Sequence, residues 1–161
     1  MGAQEVEQGD YERAKQLFED ALTLSRKTGD ERTVGYALHN LGEVARIGGE
    51  YKRAKTRGME ALAVFREMDD EWCVARTLSW LGMVTVYKSD DREAAAGFLR
   101  EGLALNREIG GWEWTAYCLE GFASLVGAKA QGERAARLWG AAEALREEIG
   151  SPLQPSDRPD Y

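Results

Sequence analysis

The sequence predicts an all-α chain, seven antiparallel helices stacked as a repeat array, and three observations carry that reading. The chain returns on itself every 40 or 41 residues: "GDYERAKQLFEDALTLSRKTGD" from Gly9 is echoed by "GEYKRAKTRGMEALAVFREMDD" from Gly49, "DDREAAAGFLREGLALNREIGG" from Asp90 and "GERAARLWGAAEALREEIG" from Gly132. A period of this size marks units that bury their apolar faces by stacking on one another. Within each unit apolar residues recur at helical spacing, and strand alternation is absent. Between units stand glycines and capping aspartates, so the connections are short and neighbouring helices run antiparallel.

Taken in order, the first helix (10–28) places Ala14, Leu17, Phe18, Ala21 and Leu22 on one stripe. Gly29 stops it. Asp30 then offers an N-cap oxygen and Glu31 an acid to the positive end of the second helix (31–47), whose stripe is Val34, Leu38, Leu41 and Val44. Gly48 and Gly49 are expected to supply a positive-φ stop, with Tyr51 over the turn and Ala54 small because two backbones approach there. The third helix (50–68) follows, and Asp70 and Glu71 repeat the capping pattern for the fourth (71–87). There Leu78, Leu81 and Gly82 fall in register with Leu38, Leu41 and Gly42. The fifth helix (91–109) carries Ala95 and Leu99 and ends at Gly110-Gly111; the sixth (112–130) puts Leu119, Phe122 and Ala123 in the same register. The seventh (132–149) has Ala135, Leu138, Trp139, Ala142 and Leu145 on one stripe. Each helix is roughly 27 Å long. Residues 1–9 read as the start of a fragment. Residues 150–161 read as a flexible tail whose prolines at 152, 155 and 158 also suit a polyproline II recognition segment.

Composition narrows the function. The 161 residues carry 21 basic and 28 acidic side chains, a net charge of −7, with no basic cluster to offset it. Such a field repels phosphate backbones and anionic bilayers, so direct nucleic-acid or membrane binding is not expected. Two cysteines, Cys73 and Cys118, make no disulfide framework, and a reducing cytoplasm is the expected location. Phosphate-binding loops, dinucleotide fingerprints and nucleophile elbows are missing. With His39 the only histidine and no C-x-x-C, neither a metal site nor a cofactor is expected, and the chain reads as non-catalytic. The cysteines fall at small-residue repeat positions, which points to core packing. Trp80, Trp112, Trp114 and Trp139 suggest ligand stacking at first sight, but Trp139 aligns with Phe18 and Leu99 as core, and Trp112 and Trp114 open a helix on faces that cannot both be buried.

The stretch "ALHNLGEVARIGGEYKRAKTRGMEAL" resembles a tetratricopeptide repeat: Leu41-Gly42, a turn glycine at Gly49, the aromatic Tyr51, then Ala54 and Ala61. Leu81-Gly82, Ala95 and Gly102 match less fully, and Phe122-Ala123, Gly132, Ala135 and Ala142 less fully again. The period exceeds the 34 residues usual for that family, and the long-helix variant resembles the arrays attached to bacterial signalling ATPases and transcription activators. The resemblance implies a right-handed α-α superhelix, with helices paired as 31–68, 71–109 and 112–149 and the first helix left as half a repeat. The opposite phase, pairing 10–28 with 31–47, stays open.

Such arrays bind along a concave face lined by the first helix of each pair. Carried onto this chain, that face is Tyr36, His39, Glu43 and Arg46, then Arg76, Ser79, Met83 and Tyr87, then Tyr117 and Glu120. These lie between the core positions and are expected to be exposed. In the subclass that grips terminal carboxylates, Lys and Asn stand where this chain has His39 and Glu43, so that specificity is not expected. The resemblance implies a protein- or peptide-binding sensor or scaffold segment of a larger signalling or transcription regulator. Two alternatives stand beside it: self-association through Leu17, Phe18 and Leu22 of helix 10–28, and a small-molecule effector site in the groove.

Overall fold

The structure, a computed structural model, describes residues 3–88, 91–127 and 131–152. Among the described residues it is all α-helix: α1 (Ala3–Thr28), α2 (Glu31–Ile47), α3 (Tyr51–Glu67), α4 (Glu71–Lys88), α5 (Arg92–Ile109), α6 (Trp112–Gly127) and α7 (Gly132–Ile149). Six helices begin within a residue of the expected place. The exception is α1, which begins at Ala3 where a start near residue 10 was expected. The proline tail beyond residue 152 lies outside the described residues. The chain packs as two compact units, 1–77 and 78–161, with the boundary inside α4.

In the first unit α1 packs on α2 and α2 on α3. The stripes named above meet in a core that includes Leu22, Val34, Leu38, Leu62 and Phe65. Each such side chain, taken out of water, contributes about 1.5–3 kcal/mol. Gly35 lets Phe65 in: a Cβ there would stand 2.8 Å from the ring's Cζ. Asp30 caps α2 by accepting from the Thr33 amide at 3.1 Å, and Asp70 caps α4 by accepting from the Cys73 amide at 3.0 Å.

The turns differ from expectation in two respects. Gly49 takes the left-handed conformation at φ 75°, but Gly48 is right-handed at φ −74°. Its smallness serves Tyr11, whose ring Cζ would lie 2.8 Å from any Cβ at Gly48; the aromatic against this glycine comes from α1. The turn after α3 has no glycine, and Asp69 adopts φ 53° in its place.

In the second unit α5 packs on α6 and α6 on α7. Gly102 brings α5 close enough to α4 that a Cβ would come within 3.0 Å of the Ser79 backbone nitrogen. Leu78, Leu81, Leu99, Cys118, Ala123 and Ala142 form the core.

Candidate functional site

Tyr36, His39, Glu43 and Arg46 follow one another at helical spacing along α2, and the first turns of α4 face them. The Cys73 thiol donates to Tyr36 Oη at 3.4 Å, and Arg32 pairs with Asp70 at 2.9 Å. The Arg76 guanidinium lies 5.3 Å from the Tyr36 ring centre and 5.1 Å from that of Trp72. Phe65 closes the far side of Tyr36 edge-on at 5.5 Å. Tyr36 and Arg76, forty residues apart, are thus brought into one aromatic–cation cluster. Trp72, half-exposed at 49%, is a member that the sequence reading did not single out. Its signal was there: Trp72 precedes Arg76 by four residues, which puts both on one helix face.

Electrostatics follow from that packing. Burial, and secondarily the Arg76 charge, push His39 down to about 4, while Glu43 pulls weakly the other way. His39 is therefore a neutral imidazole at physiological pH. Glu43 is committed to Arg46, which donates through Nε at 2.9 Å and Nη2 at 2.6 Å. The hydrogen bond from Cys73 and then burial raise the Tyr36 phenol, and burial raises the Cys73 thiol against the opposing Tyr36 contact. Burial works against the charge of Asp70, but the Cys73 amide and Arg32 outweigh it and hold the carboxyl below its ordinary range.

In the second unit the expected face is largely interior. Ser79 is buried, accepting from Asn106 Nδ2 at 2.8 Å and from Cys118 Sγ at 3.2 Å. Met83 is buried beside Gly121, and Glu120 is buried in a two-bond ion pair with Arg146. Tyr87 is exposed, and Tyr117 is half-buried, edge-on to Trp114 at 5.5 Å.

The expectation that all ten residues are exposed is therefore corrected for His39, Ser79, Met83 and Glu120. The reason is the same in each case. A repeat stripe shows which side of a helix a residue occupies, but α2, α4 and α6 have neighbours on that side too, supplied by Arg76 for α2, Asn106 and Gly121 for α4 and Arg146 for α6. Of the tryptophans, Trp80 is buried, Trp114 and Trp139 are half-buried, and Trp112 is exposed. Both cysteines are buried and free, and burial lifts the Cys118 thiol to about 11. Among the described residues no group of three or more His, Cys, Asp or Glu is placed to hold a metal, and no helix is long and apolar enough to cross a membrane.

Comparison with known proteins agrees with this architecture. The Tetratricopeptide repeat family model matches residues 1–67, that is α1 to α3. No curated protein matches the chain in sequence. Among solved structures the chain is similar to BtubC (BKLC) from P. vanneervenii, with a TM-score of 0.73 at 20% identity over 95% of this chain. It spans 63% of the length of that structure. A likeness at this identity speaks to the fold. Residues 1–67 thus match the tetratricopeptide repeat, and the chain has the all-α helical-repeat fold of that kind.

Proposed function

We propose that this chain is a non-catalytic module that binds a protein or peptide segment along the α2–α4 face of its first unit. The observation that carries the reading is the Tyr36–Trp72–Arg76 cluster: two aromatic faces bracketing a guanidinium, with Trp72 half-exposed. Tyr, Trp and Arg are the residues most often found at the energetic centre of interfaces. The matched repeat is of a type that generally mediates protein–protein contact. Its setting would be the sensor or scaffold arm of a larger cytoplasmic signalling or transcription regulator, as the long-helix period suggests. Glu43 and Arg46 would extend the binding face within the first unit, with His39 holding it from beneath; in the second unit Tyr87 and Tyr117 remain candidate contacts of their own, over the buried Ser79, Met83 and Glu120.

The test is selection of peptides from a random display library on the immobilised chain, repeated with Tyr36→Ala/Arg76→Ala at unchanged helicity. Peptides retained by the wild type and lost by the double variant support the reading. Equal retention by both places binding elsewhere.

A second reading rests on a different observation. Leu17 and Leu24, two turns apart on α1, are 60% and 64% exposed, while Leu22 is buried. Leu17 is thus the uncovered member of the helix 10–28 stripe, and with Leu24, seven residues on, it forms an apolar line that a second copy could cover. A mass by light scattering that doubles between micromolar and millimolar protein, and stays monomeric for Leu17→Glu/Leu24→Glu, would favour this reading.

A further inference from the structure

Among the described residues Arg46, Arg76 and Arg146 carry guanidinium groups largely withdrawn from solvent, and their Nε/Nη2 edges have different fates. That edge is the planar two-donor fork which matches a carboxylate bond for bond. In Arg46 it is filled by Glu43, with donor–acceptor distances of 2.9 and 2.6 Å. In Arg146 it is filled by Glu120, at 2.6 and 3.0 Å. In Arg76 both Nε and Nη2 are buried and meet no acceptor. A buried guanidinium edge left unmatched is costly, and the ring contacts with Tyr36 and Trp72 do not relieve it, because they engage the face of the cation and not its N–H bonds.

We infer that the Arg76 edge is a receptor for the side-chain carboxylate of an aspartate or glutamate in a bound peptide. This inference rests on the proposed peptide-binding reading of the α2–α4 face and names the chemistry that the face recognises. Four observations select the ligand. The edge offers two donors, the number a carboxylate accepts. The nearby Glu43 charge is already matched by Arg46, and Asp70 is paired with Arg32, so Arg76 leaves one residual positive charge. That suits a monoanion better than a phosphate dianion, which the net charge of −7 also disfavours. Both edge nitrogens are buried, so an acid on a methylene stem reaches them more readily than a chain terminus, which must bring its backbone along. Trp72 and Tyr36 present apolar faces beside it, which favours an apolar residue next to the acid. Access requires neighbouring side chains to shift, and the half-exposed Trp72 ring is free to do so on the nanosecond scale of surface rotamers.

The test follows the arginine side-chain Nε–Hε signals by ¹⁵N–¹H correlation spectroscopy. Arg76→Lys, which keeps the charge and removes the fork, assigns the Arg76 signal by its disappearance. The probe is a pool of peptides acetyl-X-X-Glu-X-X-amide, with X apolar or small, set beside the same pool with Gln at the centre and a Gln pool ending in a free carboxylate. The expected result is a shift of the Arg76 signal with the Glu pool only, and binding about tenfold weaker for Arg76→Lys. Equal shifts of α2 and α4 backbone amides with the Glu and Gln pools, with the Arg76 signal unmoved, would overturn the carboxylate inference and leave peptide binding standing. A response to the free-terminus pool alone would overturn the assignment to a side-chain acid. No response of any α2 or α4 signal to any pool would count against the peptide-binding face itself.

Discussion

Arg146 on α7 presents Nε and Nη2 to the two carboxylate oxygens of Glu120 on α6, at 2.6 and 3.0 Å, with both side chains almost sealed from water. Burial on its own would lower the arginine, yet the Glu120 contact outweighs it and holds Arg146 above its ordinary range. The same guanidinium reaches the Ser151 carbonyl at 3.3 Å, so the pair also fastens the end of α7. Removing one partner strands a buried charge. Glu120→Ala should therefore cost about 3–5 kcal/mol, whereas Glu120→Leu/Arg146→Met should cost far less or nothing. Urea unfolding of both variants decides it, and a single-variant loss below about 1 kcal/mol would show that the pair is solvated.

The His39 environment sets a pH dependence of known sign. The imidazole is held to about 4 in the fold against 6.5 when free. Between those values the unfolded chain binds the extra proton, so stability rises with pH through this window and is lost as pH falls from 6.5 towards 4. The full swing amounts to about 3 kcal/mol. The contribution is read as a difference between two proteins: wild type should lose stability more steeply than His39→Gln between pH 6.5 and 4. Parallel profiles would mean that water reaches the ring.

Two glycine substitutions with the same chemistry should have opposite signs. Both Gly102 and Gly140 lie inside helices, where alanine is favoured by about 1 kcal/mol. A Cβ on Gly102 would stand 3.0 Å from the Ser79 backbone nitrogen and 3.3 Å from Leu78 Cβ, and backbone cannot move aside cheaply. A Cβ on Gly140 meets nothing within 4 Å. Gly102→Ala should destabilise by about 1–3 kcal/mol through overpacking, and Gly140→Ala should stabilise by up to about 1 kcal/mol. Thermal melts of the two variants against wild type give the signs directly.

These contrasts show what a one-dimensional register carries and where it stops. The period placed Ala54, Ala95 and Ala123 at its small-residue positions, and all three are fully buried. It located the Asp30 and Asp70 caps because capping is a contact between residues three apart. It could not say that Glu120 finds Arg146 or that Ser79 finds Asn106, since those partners sit 26 and 27 residues away on other helices. The expectation of exposure along the stripe of groove residues therefore failed at four positions. Tyr36 and Arg76 could be named, but the contact of the Tyr36 ring with the Arg76 guanidinium emerges only once α2 and α4 are set side by side.

Asp69 illustrates the same limit at a turn and yields the last prediction. The turns at Gly29, Gly49 and Gly110 all pass through a left-handed glycine, with φ between 71° and 75°. After α3 the chain makes the corresponding turn with Asp69 at φ 53°, where a Cβ crowds the following carbonyl. Aspartate tolerates this conformation better than most residues, so the strain is part of the cost of about 1–2 kcal/mol that an ordinary side chain meets. Glycine removes the strain but adds freedom to the unfolded chain, which returns some of the gain. Asp69→Gly should therefore stabilise by about 0.5–1 kcal/mol, visible as a melting point higher by roughly 1–4 °C. Asp69→Val, branched at Cβ, should destabilise at the same site. A glycine variant less stable than wild type would mean that the Asp69 carboxylate makes a favourable contact worth more than the backbone strain it imposes.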